Sequence, residues 1–356
     1  MRVKGGRNAF SRKEVSELER DSVLEKMYEE AVRLRRLLSV HFELTHNCNL
    51  RCKHCYVCPS KGLEMDADTV IHVLEKIAER GALFLTFTGG EPLVREDFFE
   101  IALAAKALGF SIRVFTNGTL IGEKEADIFG EISPLEVGVS LYGANPETHD
   151  SITGVPGSYL KTRLAAEALI KRGVRVTIKS VIMKPNFEEY GELIDYSKGI
   201  GAKYLFDITV FPKDDGDKQP LVLRLEDERI EKIFLDPRLR GAGGEGRSGC
   251  RGPVCDLNTA SIAISPEGDI FPCLQLRISL GNVAEGEIDS GISKITAKDG
   301  PIKRILKENE LKLCYNCNVR KYCTRCPGLA QLEDGDVMGP SLWACRIAAS
   351  RGKSQQ

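Results

Sequence analysis

The cysteines of this chain fall into two widely separated groups, and that distribution limits what the chain can fold into. The first group contains four cysteines: Cys48, Cys52, Cys55 and Cys58. The second group contains eight: Cys250, Cys255, Cys273, Cys314, Cys317, Cys323, Cys326 and Cys345. Residues 59–249 contain none. Cysteines that only fill a core would be scattered, whereas grouped thiolates are soft ligands for zinc or iron–sulfur clusters. The pattern therefore indicates metal binding.

The overall composition excludes several classes of protein. Hydrophobic residues make up 42% of the 356 positions, enough for a core, and 50 basic residues balance 51 acidic ones. That balance gives no electrostatic attraction to nucleic acid or to an anionic membrane. No apolar run approaches the roughly 18 residues that span a bilayer, and the N-terminus has no signal-peptide core. We therefore expect a cytoplasmic protein without a nucleic-acid or membrane partner, in which thiols stay reduced and disulfides are disfavoured.

Predicted strands alternate with predicted helices from residue 39 to about residue 210. The strands are expected at Ser39–Thr45, Leu83–Thr88, Ile112–Thr116, Leu135–Leu141, Val174–Met183 and Lys203–Val210. This alternation is typical of an α/β fold with a parallel sheet. Six units are too few for an eight-stranded barrel, which leaves a partial barrel or an open sheet. In either fold, functional residues gather at the carboxyl ends of the strands.

The chain is predicted to have three parts. Residues 1–38 form a helical extension, with a polar helix over 13–38, and residues 39–235 form the α/β part. Residues 236–356 are irregular and rich in cysteine, and we expect a small domain that depends on metal for its stability.

A C-x3-C-x2-C motif follows the first predicted strand. Its members are Cys48, Cys52 and Cys55. Three thiolates can bind three irons of a 4Fe–4S cube, whereas a structural cluster normally has four cysteines. The fourth iron would then be open to a substrate or cofactor, like the open position of a catalytic zinc. The alternatives are a zinc knuckle and a coincidental spacing.

Together with Gly89-Gly90-Glu91-Pro92 after the second strand, this motif resembles the radical S-adenosylmethionine (radical SAM) superfamily. The resemblance covers about residues 39–210 and implies a partial (β/α)6 TIM-like barrel. It also implies that the open iron chelates S-adenosylmethionine, and that one electron cleaves this cofactor to give a 5′-deoxyadenosyl radical, which takes a hydrogen atom from the substrate. An external one-electron donor of the flavodoxin or ferredoxin type would supply that electron.

The resemblance assigns roles to individual positions near the first motif. Cys48, Cys52 and Cys55 match the catalytic cluster ligands. The segment that binds the methionine amino group corresponds to Gly89, Gly90 and Glu91. His54 stands where the family usually has an aromatic residue whose backbone meets the adenine. Asn117 and Ser140 end the third and fourth strands, where contacts with the ribose or the methionine carboxylate are expected. For Asn117 a turn role is an equal alternative.

The C-terminal cysteines resemble the SPASM domain, an irregular domain that carries auxiliary 4Fe–4S clusters. One half of its pattern is matched by Cys255, Gly268 and Cys273. The spacing departs from the pattern only between Cys323 and Cys326, where two residues replace three. The resemblance implies that auxiliary cluster I is bound by Cys250, Cys255, Cys273 and Cys326. It implies that auxiliary cluster II is bound by Cys314, Cys317, Cys323 and Cys345. The expected total is three 4Fe–4S clusters. A zinc ribbon is the alternative, although its two knuckles would be only five residues apart instead of about 15–20.

The resemblance favours an enzyme that oxidatively modifies a ribosomally made peptide or protein side chain, by crosslinking, thioether formation or decarboxylation. Maturation of a tetrapyrrole or metallocofactor is a second possibility, and a non-catalytic iron–sulfur electron carrier is a third. Leu274 follows Cys273 at the position where sulfatase-maturing members have an aspartate base, which disfavours that substrate. Cys58 is interpreted as a buried free cysteine, with a thiol hydrogen donor or a substrate contact near the first cluster as the alternative. Arg113 and Lys179 are interpreted as solvated or packing groups.

Overall fold

The structure, a computed structural model, describes residues 17–59, 62–239, 260–297, 302, 305 and 311–354. Two predicted ligands, Cys250 and Cys255, lie outside the described residues. Within the described part of the chain, no helix is both long enough and apolar enough to cross a membrane.

A parallel sheet of six strands forms the centre of the molecule. The strands are β1 (Ser39–Thr45), β2 (Phe84–Gly89), β3 (Ser111–Thr116), β4 (Glu136–Ser140), β5 (Val176–Val181) and β6 (Lys203–Asp207). They pair in chain order, from β1 to β6, through parallel neighbours. Among the described residues β6 pairs only with β5, so the barrel does not close. The predicted α/β partial barrel is confirmed.

Ten helices of eight residues or more can be assigned in the described part of the chain. They are α1 (Glu17–Leu34), α2 (Ala67–Glu79), α3 (Phe98–Ala107), α4 (Glu123–Ile132), α5 (Pro146–Thr153), α6 (Ser158–Lys171), α7 (Tyr190–Gly199), α8 (Asp227–Leu235), α9 (Ile288–Thr296) and α10 (Leu342–Lys353). Helix α2 illustrates their origin. Asp66 accepts a hydrogen bond from the Thr69 amide and caps the helix. Apolar residues at helical spacing then pack against the outer face of the sheet, in one core with Phe42 and Phe87.

The C-terminal part extends the central sheet, which the sequence analysis does not predict. Strand β7 (Ser261–Ile264) pairs in parallel with β1, and β8 (Asp269–Phe271) and β9 (Gly281–Asn282) continue it antiparallel. Strand β1 therefore lies inside a nine-stranded sheet, and both its neighbours fix its position.

A buried ion pair connects the C-terminal part to the barrel. Glu43, on β1, is fully buried and accepts two hydrogen bonds from the Arg277 guanidinium, at 2.7 and 3.0 Å. Arg277 also donates to Asp214, at 3.0 Å, in the segment after β6. Burial opposes the ionised form of Glu43, but His46 and Arg277 outweigh it and hold the pKa of Glu43 below its usual value. Three segments distant in sequence thus meet at one guanidinium.

We expect Arg277→Met to destabilise the protein by about 3 kcal/mol, because Glu43 would stay buried without its cation. The measurement is the midpoint of thermal unfolding of the reconstituted protein. Arg80→Met is the matched control, since Arg80 also bridges the two parts, through Asp289 at 2.6 Å, but both partners are solvent-accessible. Equal shifts in the two variants would contradict the proposed importance of the buried pair.

Candidate active site

A cavity of about 710 Å³ lies at the carboxyl ends of the parallel strands. The loop after β1 and the ends of β2 to β6 form one side, and the C-terminal segment forms the other. Cys48, Cys52 and Cys55 line it, and so do Cys326 and Trp343 from the C-terminal part. The cavity therefore brings residues of both cysteine groups to one space.

The three thiols of the first motif lie close enough to affect one another. Burial raises the pKa of Cys52, and the neighbouring Cys55 and Cys48 raise it further. Burial also raises the pKa of Cys55, and the neighbouring Cys48 raises it further. Three adjacent thiolates are unfavourable without a cation, and a bound metal is what deprotonates such thiols. The donor set therefore fits a positively charged iron centre.

The Gly89-Gly90 segment packs directly on the backbone of the cysteine loop. Gly89 has φ +123°, and a Cβ there would overlap the Thr45 carbonyl oxygen. At Gly90 a Cβ would overlap the Asn47 carbonyl oxygen. The Gly90 amide instead donates to Thr45 O, at 2.8 Å. Only glycine fits at these two positions, because the loop after β1 occupies the space that a side chain would need.

Glu91 is turned away from the cavity and bonded to the end of β3. Its carboxylate accepts hydrogen bonds from the Asn117 amide at 2.6 Å, Thr116 Oγ1 at 2.8 Å and the Leu93 amide at 3.2 Å. The side chain is fully buried, which raises its pKa to about 7. In this structure Glu91 positions Asn117, and its predicted contact with a methionine amino group stays a prediction.

The other predicted cofactor residues surround the first motif. Asn117 Nδ2 donates to Asn49 Oδ1 at 2.9 Å and approaches Cys48 Sγ at 3.8 Å, so it ties β3 to the cysteine loop. Ser140, at the end of β4, lines the cavity. His54 lies edge-on to the Tyr142 ring, with centroids 4.4 Å apart, and its buried Nδ1 has no hydrogen-bond partner within the described residues. Burial lowers the pKa of His54 to about 4.

The described C-terminal cysteines form two neighbourhoods. Burial raises the pKa of Cys273 to about 11, and the nearby Cys326 contributes. Burial likewise raises the pKa of Cys323 to about 11, with contributions from Cys345, Cys314 and Cys317. These neighbours are the ones that the SPASM resemblance assigns to auxiliary clusters I and II. The assignment of ligands itself stays a prediction.

In the described ranges, no three histidine, cysteine, aspartate or glutamate side chains converge where they could hold one metal ion.

Two cavity residues were not identified by the sequence analysis. Lys179 on β5 lies on the cavity wall next to Phe115, so the interpretation of Lys179 as a solvated or packing group is incomplete. The strand alternation could have revealed it, since Lys179 points away from the helix-covered face. Trp343 is buried, and its indole Nε1 has no hydrogen-bond partner in the part that the structure describes. No motif marks it.

Comparison with protein families gives two matches. Residues 42–197 match the model of the radical SAM superfamily. Residues 255–318 match the SPASM iron-sulfur cluster-binding domain.

Individual relatives carry different names. The AdoMet-dependent heme synthase of Methanosarcina barkeri (strain Fusaro / DSM 804) is 27% identical over 84% of this chain and 93% of its own length. The PqqA peptide cyclase of Xanthomonas campestris pv. campestris (strain B100) is 34% identical over 47% of this chain and 45% of its own length. Streptococcus suis SuiB bound to its precursor peptide SuiA has the same fold, with a TM-score of 0.63 at 16% identity, over 91% of this chain and 80% of that one.

Replacement of Cys48, Cys52 and Cys55 together by alanine should abolish the formation of 5′-deoxyadenosine from S-adenosylmethionine, because the open cluster would lose its ligands. Iron bound by the C-terminal cysteines should remain. Iron and sulfide per chain and deoxyadenosine are measured after anaerobic reconstitution and reduction with dithionite. Cys58→Ala is the control from the same loop and should keep both. Loss of all iron from the triple variant would contradict the division of the cysteines into independent groups.

Glu91→Gln should weaken S-adenosylmethionine binding without removing the cluster. An amide presents one oxygen instead of two, so one of the donors bonded to Glu91 would be left unsatisfied, at about 1–3 kcal/mol. Asn117 would then shift relative to Cys48. The affinity for S-adenosylmethionine is measured by equilibrium binding, and iron content serves as the control. Unchanged affinity would show that the hydrogen bonds of Glu91 do not position Asn117.

Proposed function

We propose that this chain, which belongs to the radical SAM superfamily and carries a C-terminal SPASM domain, oxidatively modifies a side chain of a ribosomally made peptide or protein. As a radical SAM enzyme it uses S-adenosylmethionine and a 4Fe–4S cluster, together with auxiliary iron–sulfur clusters. When bound, these groups supply one-electron transfer and abstraction of a hydrogen atom from the substrate.

The residues around the cavity suit that chemistry. We propose that Cys48, Cys52 and Cys55 hold the first cluster, beside the backbone of Gly89 and Gly90. The neighbouring wall includes apolar side chains that keep water from the reacting atoms: Leu50, Phe115, Val181, Leu205, Ile208 and Phe211. Exclusion of water protects a reactive centre from side reactions.

The edge of β6 that faces away from β5 is the observation that carries the peptide proposal. Residues 205–209, from β6 and the segment after it, line the cavity, and Leu205 is 43% exposed at its rim. Among the described residues β5 is the one strand that pairs with β6, so an extended chain could pair with β6 at residues 205–207 on the side away from β5. An extended peptide can add to such an edge as a further strand and place alternate side chains in the cavity. A strand edge of this kind suits a peptide, whose backbone can pair with it, better than a rigid ring, which has no backbone to pair.

The C-terminal cysteines support an oxidation. Cys326 lines the same cavity as the first motif, and Cys273 lies close to it. A cluster held there would lie beside a substrate that has lost a hydrogen atom. Such a cluster could accept the unpaired electron of the substrate radical. The names of two relatives, a PqqA peptide cyclase and a SuiB structure with its precursor peptide, also support a peptide substrate.

Oxidation of a tetrapyrrole side chain is the second candidate, and one observation favours it. The AdoMet-dependent heme synthase matches over 84% of this chain and 93% of its own length, whereas the peptide cyclase matches over less than half of each. The apolar cavity could also accept part of a flat ring.

The proposed function is tested with synthetic copies of the short peptides that are encoded next to the gene for this protein. Under anaerobic conditions, with dithionite and S-adenosylmethionine, the matching peptide should stimulate deoxyadenosine formation and lose hydrogen, as measured by mass spectrometry. The triple cysteine variant is the control and should leave the peptide unchanged. The same peptide methylated on its backbone nitrogens should react more slowly, because it cannot pair with β6. Conversion of an iron tetrapyrrole while no peptide reacts would overturn the proposal in favour of the second candidate.

A further inference from the structure

Lys179 occupies the inner face of β5 at the level of the active site. It pairs in register with Ser140, the last residue of β4, and both line the cavity. Its side chain is half-buried. A lysine here faces the same cavity as the cysteine loop.

Two neighbours give Lys179 a defined path and end point. A Cβ added to Gly138, on β4, would lie 2.8 Å from Lys179 Cδ and 2.8 Å from Phe115 Cδ1. The absence of a side chain at Gly138 thus lets the lysine stem cross β4. Lys179 Nζ then lies 3.4 Å from the centroid of the Phe115 ring, where the ring face attracts a cation. The ammonium is therefore held at the cavity wall.

The ammonium has no carboxylate in contact with it. Glu136 and Asp207 attract it and Arg113 repels it, yet within the described ranges the ammonium itself makes no ion pair or hydrogen bond. Burial lowers the pKa of Lys179, which reflects the free energy lost when its charge leaves water. A partly buried cation without an anionic partner is unfavourable for stability, and groups of this kind collect at functional sites.

We propose that Lys179 binds a carboxylate of the substrate, an inference that rests on the radical chemistry proposed for this cavity. A single ammonium next to one ring face suits a monovalent carboxylate, because it offers a point charge and not the two parallel donors with which a guanidinium holds a phosphate. The carboxylate belongs either to an acidic residue of a peptide or to a side chain of a small molecule such as a tetrapyrrole. The ion pair would fix the distance between the reacting carbon and the first cluster.

The test compares Lys179→Met, which keeps the apolar stem and removes the charge, with Lys198→Met on the exposed face of α7. Binding to the reconstituted enzyme loaded with S-adenosylmethionine is measured by calorimetry. The peptide probes are acetyl-Gly-Glu-Gly-amide and acetyl-Gly-Gln-Gly-amide, and the small-molecule probes are an iron porphyrin with propionate groups and its methyl ester. We expect the wild-type enzyme and Lys198→Met to bind one carboxylate probe about tenfold more tightly than its neutral counterpart, in line with a charge-assisted hydrogen bond. The pair that shows the preference identifies the source of the carboxylate.

Lys179→Met should lose this preference, and Gly138→Ala should weaken it, because the new methyl group would displace the lysine stem. Cleavage of S-adenosylmethionine without substrate is measured in parallel. Normal cleavage together with no carboxylate preference in the wild-type enzyme would overturn the role of Lys179 alone. Loss of cofactor binding in Lys179→Met would also overturn it, since the lysine would then serve the cofactor. Absence of cleavage in the wild-type enzyme would instead contradict the proposed function.

Discussion

Contact between the Gly89-Gly90 backbone and the loop after β1 determines the geometry of the site. The two glycines lie so close to the carbonyl oxygens of Thr45 and Asn47 that no side chain fits between them. The amide of Glu91 completes the contact by donating to Asn47 O at 2.9 Å. A parallel sheet brings the ends of β1 and β2 to the same edge, and this contact then fixes the cysteine loop on that edge. Other features of the site depend on where that loop lies.

The loop is held from further directions by polar groups. Asn117, positioned by Glu91, bonds to Asn49 between two of the cysteines. On the opposite side, Arg277 from the C-terminal part binds Glu43 on β1, two residues before the strand ends. Pairs buried to this extent are sensitive to the loss of one partner, because the remaining charge cannot reach water. The C-terminal part therefore takes part in positioning the first motif, in addition to any clusters that it holds.

The sequence was sufficient for the features that depend on local periodicity. Alternating apolar residues predicted the same bounds for β1 that the structure has, and the bounds of the other five barrel strands to within a few residues. Spacing also located the two cysteine groups. It could not locate the pairing of β7 with β1, because those strands are more than 200 residues apart and β7 has only four residues. The same holds for Arg277, whose partner Glu43 lies 234 positions away. The motif also could not predict the hydrogen bonds of Glu91. It suggests a carboxylate that binds an ammonium group, and it contains no information about the donors that the end of β3 brings to this carboxylate.

The division of the cavity between two parts of the chain explains why the motifs alone do not name a substrate. The barrel contributes the cysteine loop, the glycines and the polar groups Ser140 and Lys179, and these line one side of the cavity. The C-terminal segment contributes Leu329, Trp343 and Ile347, which form an apolar wall without a sequence signature. The proposed radical chemistry depends on the barrel residues, whereas the shape of the cavity that a substrate meets depends on both parts of the chain. Relatives can therefore share the barrel motifs and still act on different molecules, and the residues that separate them are to be sought on the walls of this cavity.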